Sequence, residues 1–297
     1  MPDRILIFAN KSWEADPLVG VLRNAQARPA SFPAEQAPPQ VSIPLNDGTA
    51  RNVSARLSLA SAGATVDVWC IKDMMDPARS SSSSEEKARV LPLVAASGPR
   101  PKLVIAFGTA AYPDPHSYNG CPTIGANCFV YNPYAATPNP ASQWTHPDIG
   151  KLLDSSAQPV NARVFTPLDQ QFRSQIEQRF LPAPLNGAAP PTLNLSAGYA
   201  ALSDVNVTDF NNYYWTDPEA LRACAQAAPR QAVASVETTH GVIRLMVPSD
   251  QFLFVSGIAN RMGYFNMEAA PRSYAQSFVA SHNAAVALAW MTPLIMA

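Results

Sequence analysis

The sequence predicts an α/β fold with three layers, α/β/α, and a mixed, largely parallel central sheet in one domain covering residues 1–297. Three short apolar runs predict strands buried in such a sheet, at residues 102–107 (KLVIAF), 232–236 (AVASV) and 252–255 (FLFV). Small or polar residues follow each run, and ligands of open α/β sheets bind outside the carboxyl ends of the strands. We therefore expect Gly108, Glu237 and Ser256 to line one crevice.

The first two elements follow from the pattern at the start of the chain. Residues 4–9 (RILIFA) form an apolar strand, and residues 13–23 have the spacing of an amphipathic helix with Ser12 as its N-cap. Residues 108–111 (GTAA) follow the first of the three apolar runs, and glycine is needed where a side chain would collide with a ligand or force an unfavourable backbone angle. The other predicted elements are strands at residues 53–59 and 65–71, extended segments at residues 128–131, 193–197 and 198–202, and helices at residues 85–96, 165–180, 219–228 and 276–291.

Composition narrows the classes of function. Hydrophobic residues make up 47% of the chain, which is enough for a sizeable core. The formal net charge of −1 gives no excess of positive charge that would favour binding to nucleic acid or to an anionic membrane. The sequence shows neither a signal peptide nor an apolar run of the ~20 residues that a membrane span needs. We therefore expect a cytoplasmic protein whose four cysteines are free thiols. The scattered histidines indicate no metal site.

Two segments resemble a known family. VETTHG, at residues 236–241, is similar to the Val-Glu-Met-Glu segment of the nucleoside phosphorylase and nucleosidase superfamily, and FVSGIAN, at residues 254–260, to that family's strand ending in Ser-Asp. KLVIAF followed by GTAA resembles the family's central strand, whose small-residue turn lets the ligand approach the backbone closely, and the alanine-rich terminal helix also matches the family in order. The resemblance implies a phosphorylase/hydrolase-like fold. It also implies binding and cleavage of the N-glycosidic bond of a nucleoside or related ribosyl compound, by hydrolysis or phosphorolysis.

Two positions depart from the family pattern. The family's second glutamate, which grips the ribose hydroxyls, falls on Thr239, and its catalytic aspartate falls on Gly257. A fold survives such changes more easily than a mechanism does. A non-catalytic nucleoside- or nucleotide-binding protein is therefore an alternative to the enzyme, and a different small-molecule hydrolase on the same scaffold is a third hypothesis.

The resemblance also implies catalytic candidates. Glu14, with Asp16 second, matches the acidic residue that helps position the attacking water, although both residues also complement the helix dipole. Asn260 can hydrogen-bond a base, because an amide offers both a donor and an acceptor. His240 is the alternative acid–base group, and it fits equally well as a structural histidine at a helix start.

Recognition of the sugar is assigned to Glu237, because a carboxylate can accept hydrogen bonds from two sugar hydroxyls. Capping of the following helix is the alternative use of this residue. Phe210 matches the aromatic residue that packs against the base, and its rivals are Tyr213, Tyr214 and Trp215. The complete expected ligand-binding set is Gly108, Thr109, Ala110, Phe210, Glu237, Thr238, Thr239 and Ser256.

The rest of the sequence sets the expectations for cofactors and binding partners. No glycine-rich loop accompanies Arg23, Arg28, Arg51 and Arg56, so phosphate is kept only as an optional co-substrate and no other cofactor is expected. The aromatic-rich residues 112–144, the low charge and the family's usual assembly predict a homo-oligomer. The expected ligand is a small nucleoside-like molecule, and no nucleic-acid or membrane partner is expected.

Overall fold

The computed structural model describes residues 2–80, 82–112, 118–132, 143–155, 158–184, 188–206, 232–262 and 273–297, with Tyr264 and Glu268. Its strands are β1 (Asp3–Ala9), β2 (Ala34–Gln36), β3 (Gln40–Pro44), β4 (Ala50–Ser54), β5 (Leu57–Ala60), β6 (Ala64–Cys70), β7 (Leu103–Tyr112), β8 (Pro122–Gly125), β9 (Asn127–Tyr131), β10 (Leu152–Leu153), β11 (Asn194–Leu195), β12 (Tyr199–Asp204), β13 (Ala232–Glu237) and β14 (Gln251–Arg261). Its α-helices are α1 (Ser12–Arg23), α2 (Ile71–Met74), α3 (Ser84–Ala96), α4 (Pro159–Pro167), α5 (Arg173–Glu177), α6 (His240–Met246) and α7 (Ser273–Met296), with a π-helical turn (Leu168–Phe172) between α4 and α5.

A mixed sheet carries most of the strands. Its path runs β10-β9-β12-β13-β7-β1-β6-β5-β2, with β14 paired to β7 and β8, and β11 paired to β8. The centre is parallel, because β7 pairs in parallel with β1 on one side and with β14 on the other. Antiparallel pairing joins β13 to β7 and β5 to β6, and β3 with β4 forms a separate two-stranded sheet. The predicted mixed α/β/α architecture is confirmed.

Alternation along the central strands explains the three layers. In β1, Ile5 and Ile7 belong to the core on the side of α1 and α7, whereas Leu6 and Phe8 belong to the core on the side of α3 and α6. Successive side chains of a strand point to opposite faces, so strands that are apolar at every position bury both faces. Both sides of the sheet are therefore covered by helices.

Three predicted boundaries were wrong for physical reasons. Residues 53–59 form two strands because the chain leaves the β3–β4 sheet after Ser54 and joins the large sheet at Leu57. Residues 108–111 continue β7 instead of turning, since β14 stays paired with them through Tyr112. Helix α1 has Lys11 as its N-cap, with Ser12 as its first helical residue.

Helical structure around residues 165–180 begins earlier than predicted, at Pro159, where proline suits a first helical turn. The strand predicted at residues 252–255 extends from Gln251 to Arg261. The helix predicted at residues 219–228 lies outside the described residues.

The C-terminal helix α7 is more apolar than the sequence analysis anticipated. By length and composition alone, Ala275–Met296 could cross a membrane, and 78% of its most apolar window is buried inside the protein. This helix packs against α1 and β14, and Ala284, Leu288 and Met291 contribute to the core on that side of the sheet. Its apolar composition therefore serves the packing of the sheet's face.

Candidate functional site

The candidate site lies where two strands end head-on beside β7. Strand β1 ends with Ala9 paired to Phe107, and β13 approaches from the opposite direction until Val236 pairs with Ala111. Both strands lie on the side of β7 away from β14, so residues 108–110 face a gap in the sheet that we call the notch. Segments that leave the sheet at such a gap bring their polar residues to one place.

Glu14 reaches the notch from the first turn of α1. Its Oε1 accepts hydrogen bonds from the backbone N–H of Thr109 at 2.7 Å and from the Thr109 hydroxyl at 2.8 Å. Its Oε2 accepts from the backbone N–H of Lys11 at 2.9 Å. Burial raises the pKa of the Glu14 carboxyl, and these hydrogen bonds oppose that rise. A raised pKa makes the carboxylate a stronger base.

Gly108 explains how the carboxylate comes so close to the strand. A Cβ at this position would lie 3.1 Å from Glu14 Oε1 and 3.4 Å from His240 Nε2. The glycine therefore allows a carboxylate and an imidazole to come close to the backbone of β7 at this position. The structure therefore brings Gly108, Glu14 and His240 together.

Glu237 ends β13 and binds the start of α6. Its Oε2 accepts hydrogen bonds from the backbone N–H groups of Thr239 and, at 2.8 Å, His240. Its Oε1 and the His240 Nδ1 are both buried, lie 3.7 Å apart, and have no hydrogen-bond partner among the described residues. Burial lowers the pKa of His240, with the nearby Glu237 carboxylate opposing the effect and the Lys87 ammonium adding to it. The imidazole is therefore neutral near pH 7.

Two lysines that the sequence analysis missed complete the site. Lys87, from α3, is fully buried, and its Nζ donates a hydrogen bond of 2.8 Å to the Thr239 hydroxyl. Burial lowers the pKa of Lys87 to about 7, and the pKa of Lys11 to about 8. Lys87, Leu91 and Val94 share one face of α3, so a lysine in an apolar stripe was the signal available in the sequence.

The other predicted ligand-binding residues lie around these groups. Ser256, on β14 opposite Gly108, donates a hydrogen bond of 3.2 Å from its hydroxyl to the Ser235 hydroxyl. Thr238 is half-buried between Glu237 and Thr239, and Ala110 is buried on β7. Phe210 and its rivals Tyr213, Tyr214 and Trp215 lie outside the described residues.

Asn260 lies further along β14 than the notch. It pairs with Ala111, and its side-chain amide donates a hydrogen bond of 2.7 Å to the carbonyl of Arg261. Within the described ranges, no hydrogen bond or ion pair joins Asn260 to Glu237 or His240. A role for Asn260 at the heterocycle stays a prediction.

Gly257, at the position of the family's catalytic aspartate, faces the C-terminal helix. A Cβ there would lie 2.1 Å from the carbonyl oxygen of Ala280 and 2.3 Å from its carbonyl carbon. These are backbone atoms of α7, so they cannot rotate out of the way. No side chain fits at this position while β14 and α7 keep their packing.

The arginines considered for phosphate are occupied by the protein itself. Arg56 pairs with Asp73 and Asp16, while Arg23 pairs with Glu35. Arg51 donates to the carbonyls of Asp73 and Met75, and Arg28 donates to the carbonyl of Leu22. In the described part of the chain, no three His, Cys, Asp or Glu side chains group closely enough to hold a metal ion.

Solved structures share this fold, although no protein-family model and no curated protein sequence matches the chain. A putative 5'-methylthioadenosine/S-adenosylhomocysteine nucleosidase from Borrelia burgdorferi bound to adenine has a TM-score of 0.56 at 11% identity, over 98% of this chain and 99% of its own. The 5'-methylthioadenosine/S-adenosylhomocysteine nucleosidase from Colwellia psychrerythraea in complex with adenine has a TM-score of 0.54 at 11% identity, over 99% and 96%. A futalosine hydrolase mutant from Helicobacter pylori has a TM-score of 0.53 at 12% identity, over 98% and 99%.

At such identities the similarity establishes the fold, and the resemblance found in the sequence is confirmed at that level.

Proposed function

We propose that this protein binds a nucleoside or related ribosyl compound at the notch and hydrolyses its N-glycosidic bond. The observation that carries the proposal is the place of the buried Glu14 carboxylate beside Gly108 and His240, whose backbone N–H binds the buried Glu237 carboxylate, in a chain with the nucleosidase fold. Acid and base groups placed around one cleft are what glycosidic cleavage requires, because water must be deprotonated and the leaving group protonated.

Glu14 is the proposed base for the attacking water. Thr109 and Lys11 hold its two oxygens in a fixed orientation, and its raised pKa favours proton uptake. Glu237 is the proposed sugar ligand, since its Oε1 is a buried acceptor without a hydrogen-bond partner in the described structure. A sugar hydroxyl would supply the donor that this oxygen lacks.

Hydrolysis is favoured over phosphorolysis because the four candidate arginines already bind carboxylates or carbonyls. Water needs no such anion site. Phosphate is therefore an optional co-substrate to be tested, and no other cofactor is proposed.

Protonation of the leaving base is the step of the proposed reaction for which the site offers the least help. Gly257 supplies no acid, and a neutral His240 can offer only an N–H hydrogen bond. Asn260 is the second candidate contact of the heterocycle. Since general acid help is worth roughly 10²–10⁴-fold, turnover of ordinary purine nucleosides should be slow. The same observation favours the second candidate function, a nucleoside-binding protein without catalysis.

The test measures base release and binding together. Adenosine, inosine, 5'-methylthioadenosine and S-adenosylhomocysteine are incubated with and without phosphate, and the free base is quantified by chromatography. Glu14→Gln should lower the turnover number by roughly 10²–10⁴-fold with little change in affinity. Glu237→Ala should weaken binding by about 1.5–3 kcal/mol, which is roughly ten- to a hundredfold.

The matched control is Glu35→Gln, because Glu35 pairs with Arg23 on the surface. Binding of a nucleoside without release of its base would exclude the proposed hydrolysis and would support the second candidate function, a nucleoside-binding protein. Affinity and release unchanged in both site variants would remove the proposed site.

A further inference from the structure

The site holds hydrogen-bonding capacity that the described chain does not use. The Lys87 ammonium has three donors, and its hydrogen bond to Thr239 uses one of them. The Glu237 Oε1 is a buried acceptor with no hydrogen-bond partner in the described residues. Buried polar groups in proteins are paired with very few exceptions, so unused donors beside an unused acceptor indicate a polar ligand.

Thr239 holds the lysine and the carboxylate on either side of itself. Its backbone N–H donates to Glu237 Oε2, and its hydroxyl accepts from Lys87 Nζ. The two side chains are close enough for the Glu237 charge to raise the pKa of Lys87 against the lowering by burial. A donor and an acceptor are thus presented to one small region of the site.

The charges of Lys87 and Glu237 determine which chemical group of a ligand can bind between them. An anion that met Lys87 would also lie near the Glu237 carboxylate, whose repulsion would offset the attraction of the ammonium. A vicinal diol carries no charge. One hydroxyl can donate to Glu237 Oε1 while the oxygen of its neighbour accepts from Lys87.

We propose that Lys87 is a ligand-binding residue which, with Glu237, reads both hydroxyls of a vicinal diol, so that the site selects ribosyl over deoxyribosyl compounds. This inference rests on the proposed function for the same site. It adds a lysine from a helix that is distant in sequence, and it names the sugar.

The experiment compares ligands that differ by one hydroxyl. Calorimetry measures the affinities of adenosine, 2'-deoxyadenosine and 3'-deoxyadenosine, together with the base-free probes methyl β-D-ribofuranoside and methyl 2-deoxy-D-ribofuranoside. The parent should prefer adenosine by about ten- to a hundredfold over each deoxy analogue. Lys87→Met should weaken adenosine binding by a similar factor and abolish the preference against one of the two analogues.

Two controls separate binding from folding. Lys102→Met removes a surface lysine that pairs with Asp3 and should leave every affinity unchanged. Calorimetry of the parent at pH 8 in two buffers of different ionisation enthalpy should show proton uptake, because a bound oxygen acceptor favours the ammonium form of Lys87. That uptake should be absent in Lys87→Met, and a purely structural lysine would not produce it.

Each of the remaining outcomes either supports or overturns the inference about Lys87. A folded Lys87→Met protein that keeps the parent's preference for adenosine overturns the inference, even if the parent releases base. Lys87-dependent binding of methyl β-D-ribofuranoside without binding of any nucleoside supports the inference and removes the proposed function. Binding of neither the glycosides nor the nucleosides overturns both.

Discussion

Replacing Gly257 by alanine tests whether the fold requires glycine at this position or would also accept a side chain such as that of aspartate. The new Cβ would lie 2.1 Å from the Ala280 carbonyl oxygen, a separation at which two non-bonded atoms overlap. Relief would need β14 and α7 to move apart by about 1 Å, and a gap of that size forfeits a quarter to a half of each dispersion contact along the interface. We expect a loss of about 3 kcal/mol or more in the free energy of unfolding.

The measurement is urea unfolding followed by circular dichroism. The matched control is Gly20→Ala in α1, where nothing lies within 4 Å of the added Cβ and a gain of about 0.5–1 kcal/mol is expected. Gly257→Asp should be less stable than Gly257→Ala and should not release base faster than the parent. A Gly257→Ala protein within about 0.5 kcal/mol of the parent would refute the reasoning, because surface changes have effects of that size.

Two further predictions concern pH and assembly. The pKa of Lys87 is about 7 in the folded protein against an ordinary 10.5, so the unfolded chain holds the extra proton between these values. The free energy of unfolding should therefore rise from pH 7 to pH 10 in denaturant titrations, and Lys87→Met should flatten this rise whereas Lys102→Met should not. Light scattering at micromolar concentration should give the mass of a homo-oligomer, and a monomer's mass would contradict that expectation.

The sequence predicted the framework because the buried strands are short apolar runs with both faces covered. It misassigned residues 108–111 for a reason that lies in the site. Small residues are typical of a turn, and they are equally needed where Glu14 and His240 press against a strand that continues. The local pattern is the same in both cases, and only the pairing with β14 decides between them.

The candidate site was partly predictable. Glu237 directly follows an apolar run, with His240 shortly after it, and Glu14 opens the first helix, so position along the chain together with the family resemblance selected them. Lys87 was not selected because its hydrogen bond to Thr239, which brings it into the site, spans 152 residues of sequence. The strand that carries Asn260 continues beyond its predicted end, so the position of this residue relative to the notch could not be predicted from the sequence.

Helix capping and ligand binding were treated as alternatives for the two carboxylates, and the geometry shows that they are compatible. Each carboxylate uses one oxygen on backbone N–H groups at the start of a helix: Glu14 on Lys11, and Glu237 on Thr239 and His240. The second oxygens of the two carboxylates differ in the number of hydrogen bonds that they accept. That of Glu14 already accepts two hydrogen bonds from Thr109, whereas that of Glu237 accepts none within the described chain.

A carboxylate offers about four lone-pair sites, so Glu14 has about one left, which is enough for a single water. Glu237 keeps a whole oxygen, which is what a sugar hydroxyl needs. The capping bonds therefore orient both groups, and the unequal use of their second oxygens supports the proposal that Glu14 binds water and Glu237 binds the ligand.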